Sequence, residues 1–163
     1  MLYDLNEDGT GVIYEILPRK NYLSRKAIKT RGASFRGERL EQIIASNIDN
    51  IFIVTSTLEP DFNNKTLDRF LVACESAHIK TNIIINKTDI ADQSSIKAWA
   101  DLYKKIGYNV FLTSAIDSTG LDYLFKSLNG KKNLFWGQSG VGKSSLLNLF
   151  YPDLNLKVGE ISN

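Results

Sequence analysis

The chain has almost none of the residues that make covalent or metal cross-links: one cysteine, Cys74, and one histidine, His78, in 163 residues. A lone cysteine excludes an internal disulfide framework and any cysteine-cluster zinc site within these residues. Cys74 shares an amphipathic stretch with Leu67, Phe70 and Leu71, so it reads as a core side chain. His78 falls near the C-terminal end of that stretch, where a capping or surface role is expected rather than catalysis. No apolar run is long enough to span a bilayer, and the N-terminal residues show no signal-peptide pattern. Neither an internal repeat nor a low-complexity tract is present. Net charge is only +2, and hydrophobic residues make up 43%, an ordinary value for a globular chain. The length accommodates one ordinary domain, or a small one with an appendage. These features suit a cytoplasmic protein with no membrane association.

What is present is concentrated in nine residues. Gly137-Gln138-Ser139-Gly140-Val141-Gly142-Lys143-Ser144-Ser145 follows the apolar run Asn133–Trp136 and leads into Leu146-Leu147-Asn148-Leu149-Phe150. This is strand, glycine loop and helix, the context of the phosphate-binding pattern G-x-x-x-x-G-K-[ST]. Glycines let successive backbone N–H groups turn inward toward phosphate oxygens, and the new helix adds the positive end of its dipole. Lys143 is expected to reach the β- and γ-phosphates, and the Ser144 hydroxyl to ligate Mg²⁺. A glycine turn that merely caps a helix is the plain alternative.

Two upstream segments address the base. Asn86-Lys87-Thr88-Asp89 closes the apolar run Asn82-Ile83-Ile84-Ile85, at the end of a parallel strand where open α/β sheets bind ligands. N-K-x-D reads guanine by donors and acceptors. An ionised Asp89 accepts from the ring N–H and the exocyclic amine, and adenine would leave that carboxylate unpaired. Asn86 can pair with the purine and tie its loop to the phosphate loop, while the Lys87 stem lies over the base. After the next expected strand, Thr113-Ser114-Ala115 matches the short S-A element that presents a backbone N–H to the guanine carbonyl oxygen. Each tetra- or tripeptide alone is an ordinary turn; the three together specify GTP/GDP over ATP. An ATPase with a coincidental N-K-T-D stays as an alternative.

The motif order is unusual. N-K-T-D and T-S-A precede the phosphate loop, whereas most GTPases begin with it. A sheet is indifferent to chain order when its strands end side by side, and nearby termini can be rejoined, so a circularly permuted GTPase is the economical reading. Within that group the chain resembles the ribosome small-subunit-dependent GTPases, the RsgA (YjeQ) family. The likeness extends to residues 11–21, to Ala45-Ser46-Asn47-Ile48-Asp49 with Ile51–Val54, to Leu67-Asp68-Arg69-Phe70-Leu71 and to Lys157-Val158-Gly159-Glu160-Ile161-Ser162. It implies an α/β fold: a circularly permuted P-loop GTPase domain with a mostly parallel sheet over 45–163, after part of an RNA-binding β OB-fold over 1–44. The implied activity is GTP hydrolysis in late maturation of the small ribosomal subunit (30S biogenesis), with rRNA as partner and a monomeric state. A nucleotide-binding module without hydrolysis remains the alternative. Switch regions, a D-x-x-G motif and a zinc-binding domain follow in the family, and their residues, zinc ligands included, lie outside this chain. About three strands' worth of sequence precede Ala45, against five in a complete OB-fold. The chain therefore reads as an excerpt.

Between Arg19 and Arg39 fall Arg19, Lys20, Arg25, Lys26, Lys29, Arg31, Arg36 and Arg39 against one acid, Glu38. With Tyr22 and Phe35 as stacking partners, this cluster can neutralise and stack on a nucleic acid, or it is a solvated basic hairpin. Residues to about Leu40 read as short strands and a basic loop, with Gly32 and Gly37 as breakers. Beyond it, strands are expected at 51–57, 81–86, 108–113 and 132–136, and helices at 65–78, 94–106, 119–129 and 143–150. That alternation implies a parallel sheet covered on both faces. Asn64 is the expected N-cap of the first helix. Trp99, Leu102, Tyr103 and Ile106 form one core stripe, and Leu121, Leu124, Phe125 and Leu128 another. The strand at 132–136 is expected to be an apolar sheet edge, which makes the isolated chain aggregation-prone or marginally stable. Cooperative melting of a monomer at high concentration is the result that contradicts this.

Overall fold

The computed structural model describes residues 2–26 and 41–159. Lys29, Arg31, Phe35, Arg36 and Arg39, with Gly32, Gly37 and residues 160–162, lie outside the described residues. Contacts divide the chain into two units, 1–47 and 48–163.

The first unit is antiparallel. β1 (Leu2–Leu5) pairs with β2 (Gly11–Glu15), and β3 (Tyr22–Lys26) pairs with β4 (Glu41–Ser46), each pair with one register irregularity. This is the partial OB-fold-like region that the sequence suggested. β4 crosses the expected 44/45 boundary, because Ala45 and Ser46 take Leu23 and Tyr22 as ladder partners.

The second unit alternates strand and helix: β5 (Asn50–Ser56), α1 (Asn64–Ser76), β6 (Lys80–Asn86), α2 (Gln93–Lys105), β7 (Asn109–Leu112), α3 (Leu121–Leu128), β8 (Asn133–Trp136) and α4 (Lys143–Phe150). The strands form one parallel sheet in the order β7-β6-β5-β8. Ile51–Val54 and Ile83–Ile85 are buried to within 1% exposure. Such continuous apolar runs belong to strands covered on both faces. On one face Phe52, Val54, Ile84 and Phe111 pack with Leu121, Leu124 and Leu128 of α3 and Leu146 of α4. On the alternate face α1 packs against β5 and β6, and Tyr103 of α2 donates to Asp68 of α1 at 2.8 Å.

β8 is an edge of the sheet among the described residues, paired only with β5. Its aromatic residues find partners on both faces: Phe135 stacks on Phe52 at 5.4 Å, and Trp136 meets Phe70 edge-on at 4.4 Å.

Local readings shift in three places. The α1 cap is Asn63, whose side chain accepts from the Thr66 N–H at 3.0 Å, one residue before the expected Asn64. In α2 the buried line is Ile96, Ala100 and Tyr103, with Trp99 half-buried and Leu102 and Ile106 exposed. Positions 96, 100 and 103 share one helical face; Leu102 points about 100° away from Tyr103 and Ile106 lies past the last turn. In α3 Phe125 is partly exposed and leans on Phe150 instead of entering the core. Cys74 is fully buried, and burial pushes its thiol up to about 11.

Candidate functional site

In a parallel sheet every strand delivers its following loop to the same end of the sheet, beyond the strands' C-termini. β5, β6, β7 and β8 therefore place residues 57–63, Asn86–Asp89, Thr113–Ala115 and the glycine loop side by side, although up to 80 residues separate them in sequence.

The glycine loop has the shape its composition requires. Gly140 and Gly142 have φ of 79° and 94°, a region that glycine enters freely and other residues rarely do. Gly137 is dictated by proximity, since a Cβ there would lie 2.1 Å from the Val54 carbonyl oxygen. At Gly142 a Cβ would lie 2.2 Å from Asn86 Nδ2. α4 begins with no capping side chain and no acid in its first turn, so its leading N–H groups are available to an anion. Lys143 Nζ donates to the Gln138 carbonyl oxygen, and burial lowers the pKa of its ammonium.

Asn86 joins this loop to the second. Its amide Nδ2 donates to the Val141 carbonyl oxygen at 3.0 Å, and its Oδ1 accepts from the Thr113 hydroxyl at 3.0 Å. Asn86 is 1% exposed and Thr113 fully buried, conditions in which an unmade hydrogen bond costs most. Thr113 also holds the third loop to the second, its carbonyl accepting from Thr88 N and Oγ1 at 3.2 and 3.1 Å. One threonine thus connects N-K-T-D, T-S-A and, through Asn86, the glycine loop.

Lys87 takes a left-handed conformation, φ 63°, and its carbonyl accepts from the buried Thr57 hydroxyl at 2.6 Å. Its Nζ donates to the Glu59 carbonyl oxygen. Asp89 is exposed in the short helical turn Thr88–Ile90. The Ser114 hydroxyl is turned inward, accepting from Ile116 N and Asp117 N, and the Ser114 N–H donates to Thr119. The N–H of Ala115 is then the group of this pair left without a backbone acceptor among the described residues.

A cavity of about 760 Å³ opens against the glycine loop, lined by Ser139, Gly140 and Gly142 to Ser145, by Glu59, Pro60 and Lys87, and by Lys157, Val158 and Gly159. That volume suits a nucleotide-sized ligand. Three lysines and one glutamate are among its lining residues, an excess of positive charge that favours an anionic ligand. Asp89, Ser114 and Ala115 are not in its lining; they stand on the two loops beside it. Sequence reasoning missed Thr57 and overlooked what Thr113 does, because a strand-end threonine carries no signature of its partner.

No helix among the described residues is long and apolar enough to cross a membrane. Nor does any cluster of three or more His, Cys, Asp or Glu side chains among them have the makings of a metal site.

A family model described as RsgA GTPase matches residues 16–163. The chain is similar to the small ribosomal subunit biogenesis GTPase RsgA of Geobacillus sp. (strain WCH70), 39% identical over 98% of this chain and 50% of that protein. It is similar to the RsgA of Bacillus pumilus at 39% identity, covering 100% of this chain and 50% of the relative. The chain therefore spans about half the length of the curated relatives it matches. Among solved structures, YjeQ from Thermotoga maritima superposes with a TM-score of 0.75 at 31% identity, over 96% of this chain and 51% of that one. YloQ, described as a circularly permuted GTPase, superposes with a TM-score of 0.69 at 36% identity, over 93% and 48%.

Proposed function

This chain belongs to the RsgA GTPase family, and from that premise we propose that it binds GTP and GDP at the four joined loops. The observation that carries the reading is the Asn86 amide, which bridges the phosphate loop and Thr113 and so holds base-reading and phosphate-binding segments at one fixed spacing. In this assignment the N–H groups of Gln138 to Ser145, with Gly137, Gly140 and Gly142 giving the loop its curl, surround the phosphates. Lys143 donates to the β- and γ-phosphates. Asp89 accepts from the guanine ring N–H and amine, Ala115 donates to the guanine oxygen, Ser114 shapes that turn, and Lys87 and Thr88 support the base. Ser144 fits a Mg²⁺ ligand, and the ion would neutralise charge on the phosphate oxygens.

As an enzyme, the protein is a GTPase in late maturation of the small ribosomal subunit. The phosphate loop and Lys143 supply positioning and charge neutralisation, which is most of what phosphoryl transfer to water requires. The antiparallel region, assigned to 1–44 with the GTPase domain over 45–163, would meet rRNA through Arg19, Lys20 and Arg25, in a cytoplasmic monomer. A zinc-binding domain is expected beyond these residues.

The test is Mg²⁺-dependent binding of GDP against ADP, with Asp89→Ala alongside. Wild type should prefer GDP strongly. The variant should lose about 100-fold in GDP affinity, the sum of two charge-assisted hydrogen bonds, and gain no comparable deficit for ADP. Equal binding of the two nucleotides by wild type, or a variant indifferent to base, removes the guanine assignment.

A further inference from the structure

Beyond α4 the chain makes a short helical turn, Pro152–Leu154, and then runs through 155–159 without regular structure and with its side chains exposed. Such a segment has little packing to hold it, and its position depends on its few hydrogen bonds. Two of them come from one side chain. Asn148 Nδ2 donates to the Leu156 carbonyl oxygen at 2.9 Å, and the Leu156 N–H donates to Asn148 Oδ1 at 2.8 Å. A primary amide carries a donor and an acceptor side by side, so it pairs with one residue's N–H and C=O as a neighbouring strand would. Asn148 stands on the helix that starts with Lys143, and this clamp therefore refers residue 156 directly to the phosphate loop.

The next three residues, Lys157, Val158 and Gly159, line the same cavity as Ser139, Lys143 and Ser144. Among the described residues no carboxylate is paired with Lys157. We infer that Lys157 is a further nucleotide-binding residue whose ammonium engages a phosphate group in this cavity, and that Asn148 is the positioning residue that delivers it there. The inference rests on the nucleotide-binding reading of the cavity and adds a cation and its support to it. The other role open to Asn148, stabilising the end of α4 with Lys157 left in solvent, makes different predictions.

The test is a double-mutant cycle in the intact protein, reading GDP dissociation constants for wild type, Asn148→Ala, Lys157→Gln and both together. Each single change should weaken GDP about 10-fold, the range of one charge-assisted hydrogen bond. The double variant should also be weakened about 10-fold and not about 100-fold, since the two act through one contact. Lys157→Gln should flatten the salt dependence of binding, because an exposed charge on an anion is screened by salt. Asn148→Ala should leave the GDP-over-ADP preference intact. Tryptic cleavage after Lys157 supplies a readout that does not depend on affinity: GDP should slow it in wild type at saturation, and slow it less in Asn148→Ala at saturation. Additive losses, Lys157→Gln binding as wild type, or cleavage indifferent to GDP overturns the inference. Wild-type protein that binds no guanine nucleotide overturns both readings; wild type that binds, with Lys157→Gln matching it, overturns this one alone.

Discussion

Replacing Gly142 with alanine should abolish useful nucleotide binding, weakening GDP by about 1,000-fold. Two effects coincide at this position. The backbone φ of 94° is one that a residue with a Cβ rarely adopts, at a cost of about 1–3 kcal/mol. The new methyl would also lie 2.2 Å from Asn86 Nδ2, and Asn86 is buried on a short side chain with both ends of its amide engaged. It has no room to retreat without breaking a buried hydrogen bond, worth about 1–3 kcal/mol when left unmade. The damage therefore falls on the bridge between the N-K-T-D loop and the glycine loop, and the two recognition roles proposed for them should be lost together. Gly130→Ala separates the causes. Gly130 also has positive φ, 67°, but nothing lies within 4 Å of its would-be Cβ, so that variant should lose stability through strain and bind GDP as wild type. Asn86→Ala added to Gly142→Ala should do less harm than the two losses summed, because the clash disappears with the amide. GDP titration with parallel melting curves checks wild type and the four variants, Asn86→Ala alone included. Gly142→Ala binding within about threefold of wild type, less than 1 kcal/mol, would show that the two loops are not coupled through Asn86.

Lys143→Met should spare the fold and remove the chemistry. GTP turnover should fall by about 1,000-fold, in line with losing a donor aimed at charge that develops in the transition state, and GTP affinity should fall more than GDP affinity. Lys143 Nζ donates to a backbone carbonyl within the loop, and burial lowers its pKa. Burial therefore places this ammonium at an electrostatic cost, and an isosteric apolar chain removes it. Apo stability should be equal to or above wild type. Single-turnover hydrolysis in the intact protein, with and without small ribosomal subunits, measures the rate; thermal melting measures the cost. Unchanged turnover would leave a nucleotide-binding module whose hydrolysis, if any, runs elsewhere. The contrast with Asp89→Ala is diagnostic, since that variant should lose base selectivity while keeping its phosphate contacts.

The readable features of this chain were those whose physics is local. A glycine loop between an apolar strand and a helix, a strand-end N-K-T-D and a strand-end T-S-A can be recognised because backbone conformation and donor–acceptor chemistry act within a few residues. Alternation of strand and helix follows for the same reason, and so does the permuted order of the motifs. Tertiary structure decided everything that depends on which distant segments become neighbours. It set the order β7-β6-β5-β8 with β8 at an edge, and it chose Val141 and Thr113 as partners for Asn86, 55 and 27 residues away. The same holds for Thr57 beneath Lys87 and for Asn148 on Leu156, side chains with no motif to announce them. It also turned Leu102 and Ile106 outward, because a helical stripe shows which face is apolar but not how far the neighbouring element reaches across it. A hydrogen bond needs its partner within about 3 Å, and only the packed sheet brings these loops that close.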